Sequence, residues 1–459
     1  MSDLHYLTRR RALQSLSAGF GYMAFTGLAS QASGRPALAT NPLAPRKAHF
    51  PGKAKRVIFA CMRGGPSHVD TFDYKPELSV NNGKKIDGRS ILESPWKFEP
   101  QGKSGLPISE LFPHLSRHAD DLCLLNGMYG DVPAHPQAFV QLHTGSFQFV
   151  RPSMGSWVLY GLGTENENLP GFISLSPPAR VGGAQNYGSA FLPALYQGTA
   201  IGALGRPIKD ANLQNLESTR LTSDLQRRQI DFIQEMNRDL KNRQDTNNQI
   251  DGVIKSYELA FRMQTAVPEV VNLKDEDKAT HELYGIDKGP SKPFGRLCMT
   301  ARRLVERGVR FVQIYHGGGG AGAWDAHSNL KGNHSSNCAK VDKPIAGLLA
   351  DLKQRNLLDE TLVVWGSEFG RTPGLQGSNG RGHHNFGFSV WMAGGGIKGG
   401  VVHGATDELG FHAVEKRHYI TDLHATVMHQ LGIDPRRLDV PGRKRLEIDY
   451  GHPIREIIA

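Results

Sequence analysis

Seven residues, AWDAHSN at 323–329, set a carboxylate and an imidazole two positions apart, Asp325 and His327, directly behind a glycine run at 317–320. In extended backbone, positions i and i+2 point to the same side, so the pair can grip one cation. Three nitrogen or oxygen side chains plus a water make up a catalytic zinc site. The other reading is a hydrogen-bonded polar edge, because 19 histidines make chance clusters easy. The same spacing joins His68 and Asp70 in RGGPSHVDTFD, with Asp73 behind them, where the alternative is a loop with a capping aspartate and a solvated histidine. Arg63, at the head of that stretch, cannot ligate a cation, but its planar fork suits a pair of sulfate or phosphate oxygens. Glu368 ends the apolar run TLVVWGSE beside Gly366 and Gly370. The glycine runs at 317–320 and 394–396 carry neither the Lys-Ser/Thr of a phosphate loop nor a spaced GxGxxG, so they predict close passage of backbone past a site.

These residues need elements to position them. KRVIFACM at 55–62 is a continuous apolar run stopped by Gly64 and Gly65, which suits a strand buried on both faces. DLCLLNGM (121–128), FISLS (172–176), VRFVQIYHG (309–317), TLVVWGSE (361–368) and FSVWMAGG (388–395) repeat the pattern, mostly alternating with helical stretches. The alternation predicts an α/β fold, a mainly parallel central sheet with helices on both faces, whose ligands bind beyond the carboxyl ends of the strands. Asp325, Glu368 and Arg63 all fall there. Between 217 and 266 a charge-rich segment carries Leu225, Phe232, Met236 and Leu240, then Ile250, Ile254, Tyr257 and Phe261, at helical spacing; it predicts a hairpin of two antiparallel helices inserted in the fold.

Composition narrows the classes. At 39% apolar and 21% charged residues the chain is globular. The four cysteines, Cys61, Cys123, Cys298 and Cys338, form neither a disulfide framework nor a metal knuckle and are expected as buried thiols. The net charge of +10 comes with 44 interleaved acidic residues and no basic block, so no nucleic-acid partner is expected; an anionic small molecule or polysaccharide fits the balance. At the start, TRRRALQ, a mildly apolar stretch and ALA at 37–39 resemble a twin-arginine export signal over residues 1–39, with Ala12 where that pattern prefers Phe. The alternative is an amphipathic arm or an uncleaved anchor. The signal implies the twin-arginine export machinery as a partner, a periplasmic or extracellular location, and no stable transmembrane span after cleavage.

Three segments resemble the alkaline phosphatase and sulfatase superfamily. LLDETLVVWGSEFGRT at 357–372 is similar to its helix, turn and strand that end in Ser-Asp-His-Gly, so Ser367, Glu368, Phe369 and Gly370 occupy the matching positions and Glu368 keeps a metal ligand where Phe369 does not. AHPQAFVQLHTG at 134–145 is similar to the sulfatase nucleophile helix and places His135 at the nucleophile position, as a metal ligand, a covalent nucleophile or the occupant of a lost nucleophile's slot; ligation is preferred. ITDLHATVMHQLGIDP at 420–435 resembles a C-terminal helix of the superfamily. The likeness implies that His383 or His384, in GRGHHNFGFSVWMAGG, joins Asp325 and His327 at one metal, with His384 the first choice. It also sets Arg63 where a metal-binding Asp is expected, leaving His68, Asp70 and Asp73 as replacements. With LPGFISL and FLPALYQGT, these stretches resemble the bacterial domain-of-unknown-function family 1501 over nearly all of residues 40–459. The resemblance implies an alkaline-phosphatase-like domain and an exported metal-dependent hydrolase of phosphate or sulfate esters, using a divalent zinc, manganese or calcium ion. The alternative is a non-catalytic binding or scaffold protein on the same fold, attached to anionic polysaccharide.

Overall fold

RVIFACM forms β1 (Arg56–Met62), and its seven side chains show why an unbroken apolar run is needed here. Ile58, Ala60 and Met62 enter one core, Val57, Phe59 and Cys61 the other, as the period of two along a strand requires. The structure, a computed structural model, describes residues 43–204, 222–243, 262–263 and 266–459. The expected export signal at 1–39 and the second helix expected at 250–261 lie outside the described residues.

The further strands of the main sheet are β2 (Leu122–Tyr129), β3 (Phe172–Leu175), β4 (Thr199–Ile201), β5 (Phe311–His316) and β6 (Thr361–Gly366). A separate hairpin follows, β7 (Gly370–Gln376) and β8 (Gly380–His384), and then β9 (Phe388–Ala393), β10 (Val401–His403) and β11 (His418–Tyr419) rejoin the sheet. The order is β10-β2-β9-β6-β1-β5-β3-β4, with β11 on the carboxyl end of β2. Strands β6, β1, β5, β3 and β4 are mutually parallel, whereas β9 runs antiparallel to both of its neighbours, β6 and β2. The mainly parallel sheet is as the sequence predicts, and so are all six strand segments.

Helices cover both faces. α1 (His135–Thr144), α2 (Met154–Leu162) and α6 (Ile420–Gln430) pack Phe139, Leu142, Trp157, Val158, Leu423 and Val427 against Val57 and Phe59. On the other face α4 (Lys292–Glu306) and α5 (Leu330–Gln354) bring Met299, Leu304, Val341 and Leu348 to Ile58 and Met62. Because both faces are dry, shortening one side chain leaves a void: Ile58→Val, at a position with no exposed surface, is expected to lower unfolding free energy by about 0.5–1.5 kcal/mol, read from urea denaturation.

Of the expected insertion, α3 (Ser223–Arg243) is helical, but Leu225, Phe232 and Met236 are exposed while Ile230 and Gln234 are buried. The helix docks through the i, i+4 pair and turns the apolar stripe outward, contrary to the expected packing. All four cysteines are free and buried, and burial raises each thiol, that of Cys123 to about 12. Among the described residues no helix is long and apolar enough to cross a membrane.

Candidate metal centre

The three central strands β6, β1 and β5 release their chains at one rim: Ser367-Glu368 after β6, Arg63-Gly64 after β1, and the glycine run after β5. Gly64 (φ +112°) must be glycine, since a Cβ there would stand 2.6 Å from the Asp325 amide nitrogen. That close approach brings the loop after β5 down onto β1, where Trp324 N–H donates to the Arg63 carbonyl at 3.1 Å. Asp325 is thereby fixed above the rim.

Around Asp325 the side chains converge on one atom. His135 Nε2 lies 3.5 Å from Asp325 Oδ1, His327 Nε2 3.0 Å and His383 Nε2 3.1 Å, while Arg371 Nη2 donates to the same oxygen at 2.7 Å. His327 Nε2 and His383 Nε2 are 2.9 Å apart. One ligand atom each from His135, Asp325 and His383 lie within 4.8 Å of one another.

The opposite ring nitrogens are tied outward. His383 Nδ1 donates to the Pro133 carbonyl at 2.7 Å, and His135 Nδ1 donates to Glu368 Oε1 at 2.7 Å. His327 Nδ1 stands 2.8 Å from Gln376 Oε1, placed there as the acceptor. With the proton on Nδ1, each neutral ring aims its Nε2 lone pair at a carboxylate oxygen, an arrangement that repels unless the rings are protonated or a cation lies among them. Outward hydrogen bonds of this kind are what orient histidine ligands at metal sites. His135 Nε2 is moreover buried without a hydrogen-bond partner. His135, Asp325 and His383 could thus together hold a metal ion, and His327, with its side chain 39% exposed, stands on the open side.

Glu368 closes the bottom. Its Oε1 accepts from Gly64 N–H at 2.9 Å as well as from His135, and its Oε2 accepts from Ser367 Oγ at 2.7 Å. Burial pushes the Glu368 carboxyl up, but the His135 hydrogen bond and charge outweigh it and hold the group below its usual range. Burial likewise raises Asp325, yet the facing His135 and His383 rings and the charge and hydrogen bond of Arg371 leave it well below ordinary carboxylates. Burial lowers His135, and the two carboxylates reverse that and raise it. Phe369, itself buried, sets its ring 4.8 Å from that of His135 and 4.7 Å from that of His383.

Other expected residues stay out of this cluster. His384 gives its Nε2 to the Phe411 carbonyl and stacks on His68 with ring centroids 6.2 Å apart; His68 Nε2 meets the Gly410 carbonyl at 2.9 Å. His383, not the preferred His384, faces Asp325, because adjacent residues of β8 point to opposite sides. Asp70 is held by Arg381, Nε to Oδ2 at 2.7 Å and Nη2 to Oδ1 at 3.1 Å, with both side chains fully buried. His68–Thr71 is a helical turn, in which i and i+2 diverge, so the spacing that unites Asp325 and His327 separates His68 from Asp70. Asp73 pairs with Lys75 at 3.0 Å. Arg63 spends its fork on the glycine run, donating to the carbonyls of Gly317 (2.9 Å), Gly319 (3.5 Å) and Gly320 (3.2 Å), and is not placed to grip an anion directly. Arg371 and Arg381 are the residues that sequence reasoning passed over. The signal was the arginine inside GSEFGRTP: in the β7–β8 register Arg371 stands opposite His383, so one hairpin delivers both to Asp325.

A family model described as protein of unknown function (DUF1501) matches residues 54–458. The chain belongs to that family. No curated protein matches this DUF1501 chain in sequence. Among solved structures it is similar to the lipoteichoic acid synthase LtaP from Listeria monocytogenes (9% identity, 89% of this chain and 79% of that one, TM-score 0.40). It is similar also to the PsFucS1 sulfatase from Pseudoalteromonas sp. (12%, 96% and 76%, TM-score 0.37) and to the phosphonate monoester hydrolase SpPMH from Silicibacter pomeroyi (12%, 88% and 76%, TM-score 0.33). Likeness at this level assigns no chemistry to the DUF1501 chain, which must be argued from its own side chains.

Proposed function

We propose that this DUF1501 protein is a metal-dependent hydrolase of phosphate or sulfate esters. The observation that carries the reading is the convergence of His135, His327 and His383 Nε2 on Asp325 Oδ1 with every Nδ1 engaged outward. A divalent cation held there would polarise the ester and make bound water a nucleophile near neutral pH. The chain's own residues do the rest: Arg371 keeps the Asp325 carboxylate aimed inward, and Glu368 orients His135. His384, His68 and Asp70 have no part in this site. The export signal over 1–39, one superfamily domain over 40–459, a periplasmic or extracellular location and an anionic polysaccharide substrate belong to the same proposal, supported by the leader pattern and the net charge of +10.

One observation favours the non-catalytic alternative: Arg371 already neutralises Asp325, so the cluster is tolerable as an ion pair alone. Elemental analysis of the purified chain separates the two. The hydrolase reading expects about one zinc, manganese or calcium per chain, lost in Asp325→Ala and His383→Ala, and hydrolysis of p-nitrophenyl phosphate or sulfate reduced more than about 100-fold in both. A protein that holds no such ion after incubation with each metal, and hydrolyses neither ester, removes the proposal.

A further inference from the structure

The turn between β2 and α1, residues 130–134, exposes Asp131 and Pro133, yet two buried amides are spent on it. Asn385 and Gln141 are each 2% exposed. Asn385 Nδ2–H donates to the Gly130 carbonyl at 2.8 Å, and the Asn385 carbonyl accepts from Gly130 N–H at 2.9 Å. Gln141, on α1, accepts from Asp131 N–H on Oε1 at 3.1 Å and donates from Nε2 to Asp131 Oδ2 at 2.7 Å. The Tyr419 hydroxyl closes this ring of bonds: it accepts from Gln141 Nε2 and donates to Asp131 Oδ2 at 2.6 Å. Burial and the facing Asp131 carboxylate raise that hydroxyl, which keeps it a donor. Burying an amide carries a desolvation cost that an apolar side chain would avoid, and a fully satisfied polar network rigidifies the backbone it binds.

What the turn carries explains the outlay. Its Pro133 carbonyl accepts from His383 Nδ1 at 2.7 Å, and Ala134 leads directly into His135, the first residue of α1. Ala134 gives α1 no side-chain cap, so the course of the turn sets where the helix, and His135 with it, begins. Asn385 stands two residues beyond His383 and ties the turn to the strand bearing that histidine. Gln141 ties it to the helix bearing the other. We infer that Gln141, through Asp131, and Asn385, through Gly130, are positioning residues that hold this turn as a spacer between His135 and His383 and so set the affinity of the metal centre. The inference rests on the metal-dependent reading for what the two histidines hold, but not for how they are held.

The test uses the full chain with cobalt as the probe, its affinity read by competition with a chelator and its coordination by the visible spectrum. Gln141→Leu keeps the bulk and removes the amide, and Gln141→Glu sets a second carboxylate against Asp131. Adding Asp131→Asn to Gln141→Glu restores each hydrogen bond of the ring with donor and acceptor exchanged. Both single variants are expected to bind cobalt about 10–100-fold more weakly, with an altered spectrum, and the double variant to recover. The urea midpoint of Gln141→Leu is expected to stay near that of the wild type, because an apolar side chain of similar size replaces the amide and water reaches the exposed Asp131. In crystals of the metal-free chains, the Pro133–His383 hydrogen bond is expected in the wild type and the double variant and lost in Gln141→Leu. Wild-type affinity and spectrum in Gln141→Leu, or a loss in Gln141→Glu that the double variant does not recover, overturns the inference and leaves the hydrolase reading standing. A wild type that binds no cobalt removes the hydrolase reading; the crystals then decide, and a Pro133–His383 bond kept in Gln141→Leu overturns the inference.

Discussion

Urea midpoints are expected to fall steeply as the pH drops from 7 to 5. Five histidines sit buried, and burial lowers His68, His143 and His424 to about 4 and His316 and His334 to about 3. Two of them are locked as acceptors, His316 Nδ1 from Trp324 Nε1–H and His334 Nε2 from Ser67 N–H, each at 2.9 Å, so a proton there would face a donor. The unfolded chain takes up these protons near pH 6.5 and the folded chain does not, so the stabilisation is present above 6.5 and is lost as pH falls toward the folded values. Each such group contributes a slope of about 1.4 kcal/mol per pH unit, and five together cost on the order of 5 kcal/mol between pH 6 and 5. That is comparable with the whole stability of many domains. The depressed carboxylates Asp325 and Glu368 act in a separate window: their stabilisation holds above about pH 4 and is lost only below it. A midpoint that stays level from pH 7 to 5 would show the buried histidines to be reached by water.

The second large effect is expected from Asp70→Ala. Arg381 is completely buried, and although it also donates to the carbonyls of Pro373 (2.7 Å) and Leu92 (3.0 Å), Asp70 is its counter-charge. Removing one partner of a buried pair leaves an uncompensated ion and costs about 3–5 kcal/mol. Since Asp70 stands outside the converging cluster, metal content should stay at the wild-type level while the urea midpoint falls. The opposite result, normal stability with loss of metal, would return Asp70 to the ligand set.

The sequence showed the sheet well and the site in part. Apolar runs that end in glycine, such as RVIFACM before Gly64 and TLVVWG before Ser367, identify buried parallel strands because only a strand dry on both faces needs no polar alternation. Spacing alone did not tell Asp325/His327 from His68/Asp70, since the meaning of two residues apart depends on whether the backbone between them is extended or helical. The choice between His383 and His384 was equally hidden, because it turns on which face of β8 meets Asp325, a matter of hairpin register. Arg371 and Arg381 were invisible as site residues because their value lies in charge compensation across long sequence separations. Leu225, Phe232 and Met236 misled because periodicity reports a helix but not which of its sides is covered.

The β7–β8 hairpin has a wider consequence. It carries Arg371, Gln376, Arg381 and His383, and its turn meets the start of α5, where Asn379 accepts from the Asn329 amide at 2.6 Å. One two-stranded flap thus ties three separate stretches of chain: the turn behind β1, the loop behind β5 and the first turn of a long helix. No fragment of the polypeptide can contain the cluster in miniature, and an insertion on either side of this flap would disturb ligands, counter-ions and helix start together.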